Sequence, residues 1–577
     1  MQQDHDLADQ ETREAVTSLA KRRGYLWPSF ELYGGMRGFY DYGPLGTALK
    51  RNIQGLWLRL WVGEEGMIEL DSALINPRPV FEASGHLAEF QDFVVLCTDC
   101  NANFRADHLL EEIHPNPDAL SKEELAGQLE EHGVTCPECG GTISGPTSFN
   151  LMFGTRAGPG EGREAYLRPE TAQGIFVNFS HLYRLGRERL PFGVAQLGRG
   201  FRNEISPRQG IIRLREFNMA EVEAFFHPQK RQWTSDLRKY ADTQLTLVPN
   251  EGNEIEVTLG EALERGIMCN EALAYFVGVT TRFLIGVGVD PERLRFRQHL
   301  KTEMAHYASD CWDAEAKLSY GWTELVGIAD RGDFDLRRHQ EHSGQDLRVF
   351  VPFPEPVEME VERLTPVHKE LGPRFRGDAK AVADALMEAD ATALGEDGQA
   401  TISIPDGEDG TRTVKVPAEC FQLERVVEKR TGEKVLPHVV EPSFGIDRIL
   451  WTVLEHSFTQ RKGEEGEAMT VLKIPPGVAP ITVGVFPLVT KDGLDDIAEV
   501  VDGKLRGAGL RTLYDASGSI GRRYARADEA GVPFCITVDH ETKEDDNVTV
   551  RWRDTQDQVR LPISHIVTSV KQLAGLD

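Results

Sequence analysis

The clearest helical period lies at residues 52–62. There Ile53, Leu56, Trp57, Leu60 and Trp61 fall at i, i+3, i+4, i+7 and i+8 and make one apolar face. A second lies at 446–458, with Ile446, Ile449, Leu450, Val453, Leu454 and Phe458 on one side. Residues 1–95 otherwise read as helix, loop and helix, 164–226 as alternating strand-like and turn-like segments, and 228–320 as largely helical. Residues 193–226 predict two antiparallel strands joined by a Ser-Pro-Arg-Gln-Gly loop. Alternation then puts Arg202 and Glu204 on one face of the first strand. It puts Arg213, Arg215, Phe217, Met219 and Glu221 on one face of the second. Residues 379–410, with eight Asp/Glu against one Lys, read as a surface excursion. The Gly-, Pro- and charge-rich stretch 463–480 is the linker candidate. Beyond it, strands at 481–488, 510–515, 533–539 and 547–555 are interleaved with helices at 492–507, 518–531 and 566–573. That pattern predicts a compact α/β domain with a parallel or mixed sheet.

Composition sets outer bounds. The chain has 577 residues, enough for about three or four domains at ~100–200 residues each. Hydrophobic residues are 40% and aromatics 8%, which excludes a wholly disordered chain, a collagen and a disulfide mini-protein. No apolar run reaches the ~18 residues of a membrane span. The first residues carry neither a basic nor an apolar leader segment, so a cytoplasmic location is expected. Lys+Arg number 64 against 92 Asp+Glu, a net charge of −28. A polyanion would therefore have to be held by local arginine clusters, not by bulk attraction. Only 18 of the 64 basic residues are Lys. Such a balance suits a salt-rich cytosol, where screening removes self-repulsion; an arginine-rich codon bias in an ordinary acidic protein would look the same.

Cys97, Cys100, Cys136 and Cys139 form two C-x-x-C pairs with 35 residues between them. In a reducing compartment two such turns can complete a four-thiolate zinc site at ~2.3 Å Zn–S, closed and structural, with no open position for catalysis. The other reading is a redox pair or buried thiols. Cys269, Cys311, Cys420 and Cys535 stand alone and read as core residues.

A strand face with two Arg, a Phe and a Glu can bind a phosphate chain, an aromatic base and a cation; a solvated face of ion pairs is the bland alternative. The segment FRNEIS…RLREFNMAE (201–221) resembles motif 2 of the class II aminoacyl-tRNA synthetases, and EPSFGIDRIL (441–450) resembles motif 3. YLRPETAQGIF (166–176), GWTELVGIADRGDFDL (321–336), FRADHL (104–109) and SGHLAEFQDF (84–93) look like the matching segments of the glycyl-tRNA synthetases of the archaeal and eukaryotic dimeric type. GSIGRRYARADEAGVPF (518–534) is similar to the anticodon-binding domain shared by the glycyl, threonyl, prolyl and histidyl enzymes. The resemblance spans nearly the whole chain. Motif 1 is matched by the 52–62 helix and a strand ending at Pro77 or Pro79.

The resemblance implies an α+β fold, a class II antiparallel sheet flanked by helices. The catalytic domain begins at 1–96 with motif 1 and resumes at 140–227, 321–344 and 436–465. Inserts lie at 97–139 (zinc), 228–320 and 345–435, with a linker at 466–480 and the anticodon-binding domain at 481–577. It implies that glycine is activated by ATP to glycyl-adenylate and passed to the 3′ end of tRNA(Gly). Arg202, Arg213, Arg448 and Glu324 are the implied catalytic residues. Arg202 meets the α-phosphate, Arg213 and Arg448 meet the γ-phosphate of a bent ATP, and Glu324 bridges to Mg²⁺. Asn203, Glu204, Ile212, Leu214, Arg215, Glu216, Phe217, Leu325, Gly445, Ile446 and Asp447 complete the ATP set. Arg105, Glu170, Phe217, Asn218, Met219, Ala220, Glu221, Glu441, Pro442, Ser443, Phe444 and Gly445 are the implied glycine set. Glu170, Glu221 and Glu441 turn toward the substrate ammonium, and their crowding excludes a methyl group at Cα. The motif 1 stripe implies a homodimer. Residues 478–577 hold twelve Lys/Arg against sixteen Asp/Glu. Such a module should read unpaired bases by stacking and hydrogen bonding, with Arg522, Arg523 and Arg526 supplying phosphate contacts. Rival readings are the same reaction with threonine, proline or histidine, a non-catalytic tRNA-binding relative, and a zinc-dependent nucleic-acid-binding protein.

Overall fold

The computed structural model describes residues 2–111, 113–114, 117, 120–207, 210–300, 309–389, 393–395, 397–406, 410–462 and 468–576. It divides into two compact units, 1–347 with 436–577, and Arg348–Val435.

A nine-stranded sheet organises the first unit. Its strands in chain order are β1 (Ile68–Glu69), β2 (Phe192–Phe201), β3 (Glu216–Phe226), β4 (Gln244–Val248), β5 (Ile255–Thr258), β6 (Leu294–Gln298), β7 (Asp310–Leu318), β8 (Gly321–Gly332) and β9 (His438–Gly445). Across the sheet they run β5–β4–β6–β7–β8–β9–β3–β2–β1. From β6 to β2 every neighbour is antiparallel, while β4 joins β6 and β1 joins β2 in parallel. Residues 228–320 thus supply four strands of this sheet, not a mainly helical insert. Its one long helix is Glu271–Val287.

Strand alternation gives the sheet two chemically different faces. The row Ala220, Phe444, Val326 and Ala314 is buried against helices. The next row, Glu221, Ser443, Gly327 and Asp313, is on the opposite face. The covering helices are α1 (Gln2–Arg23), α2 (Pro44–Leu58), α3 (Glu271–Val287) and α4 (Ile446–Ser457). Pro44 starts α2 where a missing N–H costs nothing. Gly46 follows because a Cβ there would sit 1.9 Å from the Tyr25 carbonyl oxygen.

The motif 1 stripe is consumed inside the chain. Trp57 and Trp61 are fully buried, packing edge-on against Phe444, and Trp61 also meets Phe276. Ile53 and Leu60 are buried with them. Burial of each large side chain is worth ~1.5–3 kcal/mol to this fold; Leu56, the fifth residue of the stripe, stays half-buried. Pro77 ends the strand Ile75–Pro77, and Pro79 lies in the first turn of the helix Arg78–Ala83.

The two motif 2 strands are shorter than alternation suggested. Arg202 and Glu204 follow β2, and Arg213 and Arg215 precede β3, so all four stand on the connecting loop. Arg215 fixes that loop by donating to the Glu204 and Arg37 carbonyls. The linker candidate also departs from its reading. Ala468–Leu472 is a strand paired with Phe458–Lys462, and residues 463–467 lie outside the described residues.

The C-terminal sheet has the order Thr512–Tyr514, Val483–Pro487, Phe534–Val538, Asn547–Trp552, Gln558–Pro562. Its first three strands are parallel and its last two antiparallel. The arginines expected to meet phosphate are largely committed inside it. Arg523 is buried and donates to the Pro487, Ala516 and Gly518 carbonyls, and Arg526 pairs with Asp515. Of the three only Arg522 is left for an outside anion, because the helix Ile520–Glu529 turns its other two guanidinium groups back onto the preceding loop.

The unit Arg348–Val435 is a long two-stranded ribbon, Val349–Pro366 with Phe421–Val435, carrying a small core. Val382, Ala383, Leu386, Ala400, Ile402 and Ile404 are buried in that core. The acidic segment 379–410 is therefore partly interior. Within it, residues 390–392, 396 and 407–409 lie outside the described residues.

Candidate active site and metal centre

A cavity opens on the polar face of the sheet, at the C-terminal end of β9. One loop, three strands and a helix start converge on it. Arg202, Glu204, Ile212, Arg213 and Leu214 come from the motif 2 loop, Phe217, Asn218 and Met219 from β3, and Glu324 and Leu325 from β8. Ser443, Phe444, Gly445, Asp447 and Arg448 come from β9 and the first turn of α4. Of the expected ATP set, Asn203, Arg215, Glu216 and Ile446 do not line it. Glu216 pairs with Arg199, and Ile446 is buried in the core.

The cationic groups are held in place before any anion arrives. Arg202 lies over the rings of Phe90 and Phe217, 5.3 and 5.5 Å from their centroids, and donates to the Pro169 carbonyl. Arg448 donates from Nε to the Ile212 carbonyl and from Nη1 to Glu324 Oε2 at 2.9 Å. The Glu324 side chain is about half exposed, and Arg448, with Arg202 and His299, holds its carboxyl below the ordinary range against desolvation. Arg213 Nη1 stands 3.1 Å from His108 Nε2. Burial, then the nearby Arg105, lowers His108 to about 4, so near pH 7 it is neutral and accepts this bond. Glu204 Oε2 is buried without a hydrogen-bond partner, an acceptor turned to the cavity wall. Asp447 is fixed by the Asn218 N–H at 2.6 Å and by Tyr42.

Beyond Ser443 the same face carries a cluster of buried acids. Glu221 Oε1 accepts from Ser443 Oγ at 2.8 Å, and Oε2 accepts from the Thr171 N–H at 2.7 Å. Glu170 accepts from Gln173 Nε2 at 2.9 Å and faces His86 at 3.4 Å. Glu441 Oε2 is ion-paired to Arg331 at 2.7 Å, and Arg331 also clasps Asp335 through two bonds. Burial and the charge of Glu170 raise Glu221. Burial raises Glu441 too, Arg331 opposing. Glu170 goes the other way, because His86, Arg331 and Gln173 outweigh its burial. Glu223, two residues past Glu221, is fully buried with neither oxygen bonded, and burial, then the charge of Glu441, pushes its carboxyl well up. Five carboxyl groups thus surround one arginine and one histidine, a setting that favours a small cation.

Several expected contacts are not made by side chains. Ala220 and Phe444 face the core, so only their backbone could serve the site. Arg105 is held by Asp92 and Asp107, and does not reach the acid cluster. His108, Arg331, Asp335, Gln173 and His86 were not singled out by sequence reasoning. Arg331 and Asp335 sit inside the quoted 321–336 segment, and their spacing of four across a strand end carries no periodic signal.

The four paired cysteines do meet. Cys97 Sγ and Cys139 Sγ are 3.5 Å apart, Cys100 Sγ and Cys136 Sγ 3.7 Å, and all four lie within 4.8 Å of one another. A zinc tetrahedron with Zn–S of ~2.3 Å has an edge of about 3.8 Å, so the group fits that ion. The first knuckle leads straight into Asn103–Arg105 and then to His108, which touches Arg213. Cys100→Ser is expected to leave the purified chain with less than half the zinc of wild type; metal analysis showing an unchanged content would refute the site.

Comparison with known proteins agrees with this geometry. Residues 157–388 match the family model for the tRNA synthetase class II core domain (G, H, P, S and T), and 482–573 match that for an anticodon binding domain. A prolyl-tRNA synthetase from Cryptosporidium parvum, solved with halofuginone and AMPPNP, shares the fold. It has a TM-score of 0.51 and 12% identity over 97% of this chain and 75% of that one. The glycine–tRNA ligase of Methanothrix thermoacetophila is 51% identical over 97% of this chain and 96% of its own length. That of Archaeoglobus fulgidus is 48% identical with the same coverage. At that identity and coverage, the chain belongs to the glycine–tRNA ligase family of class II aminoacyl-tRNA synthetases.

Proposed function

We propose that the cavity over Phe217 holds ATP and that the acid cluster beyond Ser443 holds the ammonium group of glycine. The glycine carboxylate then attacks the α-phosphorus and pyrophosphate leaves. Positioning and charge stabilisation supply the catalysis, with no protein nucleophile. Arg202 takes the α-phosphate, Arg213 and Arg448 the far end of the triphosphate, and Glu204 the adenine amino group. Glu324 would hold a Mg²⁺ ion, which would supply neutralisation of phosphate charge. Of the three glutamates, Glu170 and Glu221 are the ones to face the ammonium, since Glu441 is already neutralised by Arg331.

The observation that carries this reading is the placement of Glu221 and Ser443 side by side on the face that also bears the three arginines. An alanine methyl would have to enter a space bounded by carboxylates already hydrogen-bonded to Thr171, Gln173 and Ser443. Pyrophosphate exchange run with each of the twenty amino acids is expected to respond to glycine alone. A comparable rate with alanine, threonine, proline or histidine would overturn the assignment.

A further inference from the structure

The motif 2 loop is braced from outside the main sheet. A three-stranded sheet of Gln91–Leu96, Asn103–Arg105 and Thr147–Asn150 stands beside it, with Gln91–Leu96 in the centre. Phe90, just before the central strand, lies under the Arg202 guanidinium. Leu151, just after Thr147–Asn150, accepts from the Asn203 N–H at 2.8 Å. The Asn103 carbonyl accepts from Ser206 Oγ. At the far end of the loop, His108 Nε2 accepts from Arg213 Nη1 at 3.1 Å.

This last bond reaches a charged group that lines the cavity. His108 stands in the short helix Asp107–Leu110, directly after Asn103–Arg105. The approach to that helix is fixed, because Arg105 is clasped between Asp92 and Asp107. Glu111 Oε1, mostly exposed, is 3.8 Å from the same ring nitrogen. A carboxylate in the place of His108 would neutralise Arg213, as Glu324 pairs with Arg448. A neutral imidazole takes one N–H of the guanidinium and leaves its charge and its other donors for an anion. A side chain ordered in this way has less freedom to lose when phosphate arrives.

We propose that His108 is a positioning residue for ATP: it aims Arg213 at the far end of the triphosphate, and the sheet that carries it serves as the brace of the motif 2 loop. This rests on the reading of Arg213 given under the proposed function. An adenylate has no phosphate at that end, so the effect of His108 belongs to the triphosphate alone.

Titration calorimetry on the full-length chain with Mg²⁺ compares two ligands. One is α,β-methylene-ATP. The other is 5′-O-(glycylsulfamoyl)adenosine, a glycyl-adenylate analogue without β- and γ-phosphates. His108→Leu is expected to weaken α,β-methylene-ATP by about fivefold or more, the loss of one hydrogen bond to a charged group, and to leave the adenylate analogue within about twofold of wild type. His108→Gln restores an acceptor near the position of Nε2 and is expected to stay within about twofold for both ligands. Three results overturn the proposal: unchanged α,β-methylene-ATP binding in His108→Leu, an equal loss for both ligands, or a loss in His108→Gln as large as in His108→Leu. Arg213→Met separates the two levels. If it leaves α,β-methylene-ATP binding unchanged, the reading of Arg213 falls; if it weakens binding and His108→Leu does not, only the positioning role falls.

Discussion

Arg202→Ala lowers glycine-dependent pyrophosphate exchange by about two to three orders of magnitude while leaving the fold intact. The size follows from the loss of one preorganised donor at a developing charge, roughly 2.7–4 kcal/mol. The fold is spared because Arg202 stands on a loop and donates to one carbonyl, at 3.3 Å. Its two ring contacts, Phe90 and Phe217, hold the guanidinium at the cavity wall, and no ion pair of Arg202 among the described residues would have to be broken. A phosphate can therefore engage it at little cost. The measurement is steady-state exchange on protein whose thermal midpoint matches wild type. A rate within threefold of wild type would show that another group meets the α-phosphate.

Arg331→Met has its largest effect on stability. The guanidinium is 3% exposed and is the shared partner of Glu441 and Asp335. Removing one member of a buried pair leaves an uncompensated charge and costs about 3–5 kcal/mol. Here the orphaned acids also repel Glu170 and Glu221, so the carboxyls of Glu221 and Glu441, already raised, rise further. Acids raised in the folded state keep protons that the unfolded chain has already released, so stability falls as pH rises. Urea unfolding of the variant is expected to show the greater loss at pH 8 than at pH 5, and Glu441→Gln added to Arg331→Met should restore part of it. A loss under about 1 kcal/mol at pH 8 would mean that the cluster is solvated.

The chemistry of this site was more legible in the sequence than its geometry. Cys97, Cys100, Cys136 and Cys139 could be paired from spacing because ligand turns are local. Phe217, Glu221, Ser443 and Arg448 could be placed because their motifs fix residue types at fixed offsets. The reach of the motif 2 strands was misjudged because alternation continues on paper through Arg202 and Arg213, where the chain leaves the sheet. The 52–62 stripe announced burial but not its partner. Whether Trp61 meets Phe276 or a second subunit depends on a residue more than two hundred positions away. Arg331 and Glu223 escaped for a related reason, since the charge balance of a buried cluster exists only once distant strands are brought together.

The position of β9 between β8 and β3 bears on how the chain is made. β3 ends at residue 226 and β8 at 332, but β9 begins only at 438, and the two earlier strands do not pair with each other directly. During vectorial synthesis at ~5–20 residues per second, β3 waits roughly 10–40 s for its neighbour. Until then the sheet exists as two halves with open edges. The strand that closes them is the one that delivers Glu441, Ser443 and, just after it, Arg448. A nascent chain arrested before residue 438 lacks a joined core as well as part of its active site. Such a fragment exposes strand edges that invite association, which makes arrest in this stretch a hazard to its neighbours as well as a loss of enzyme.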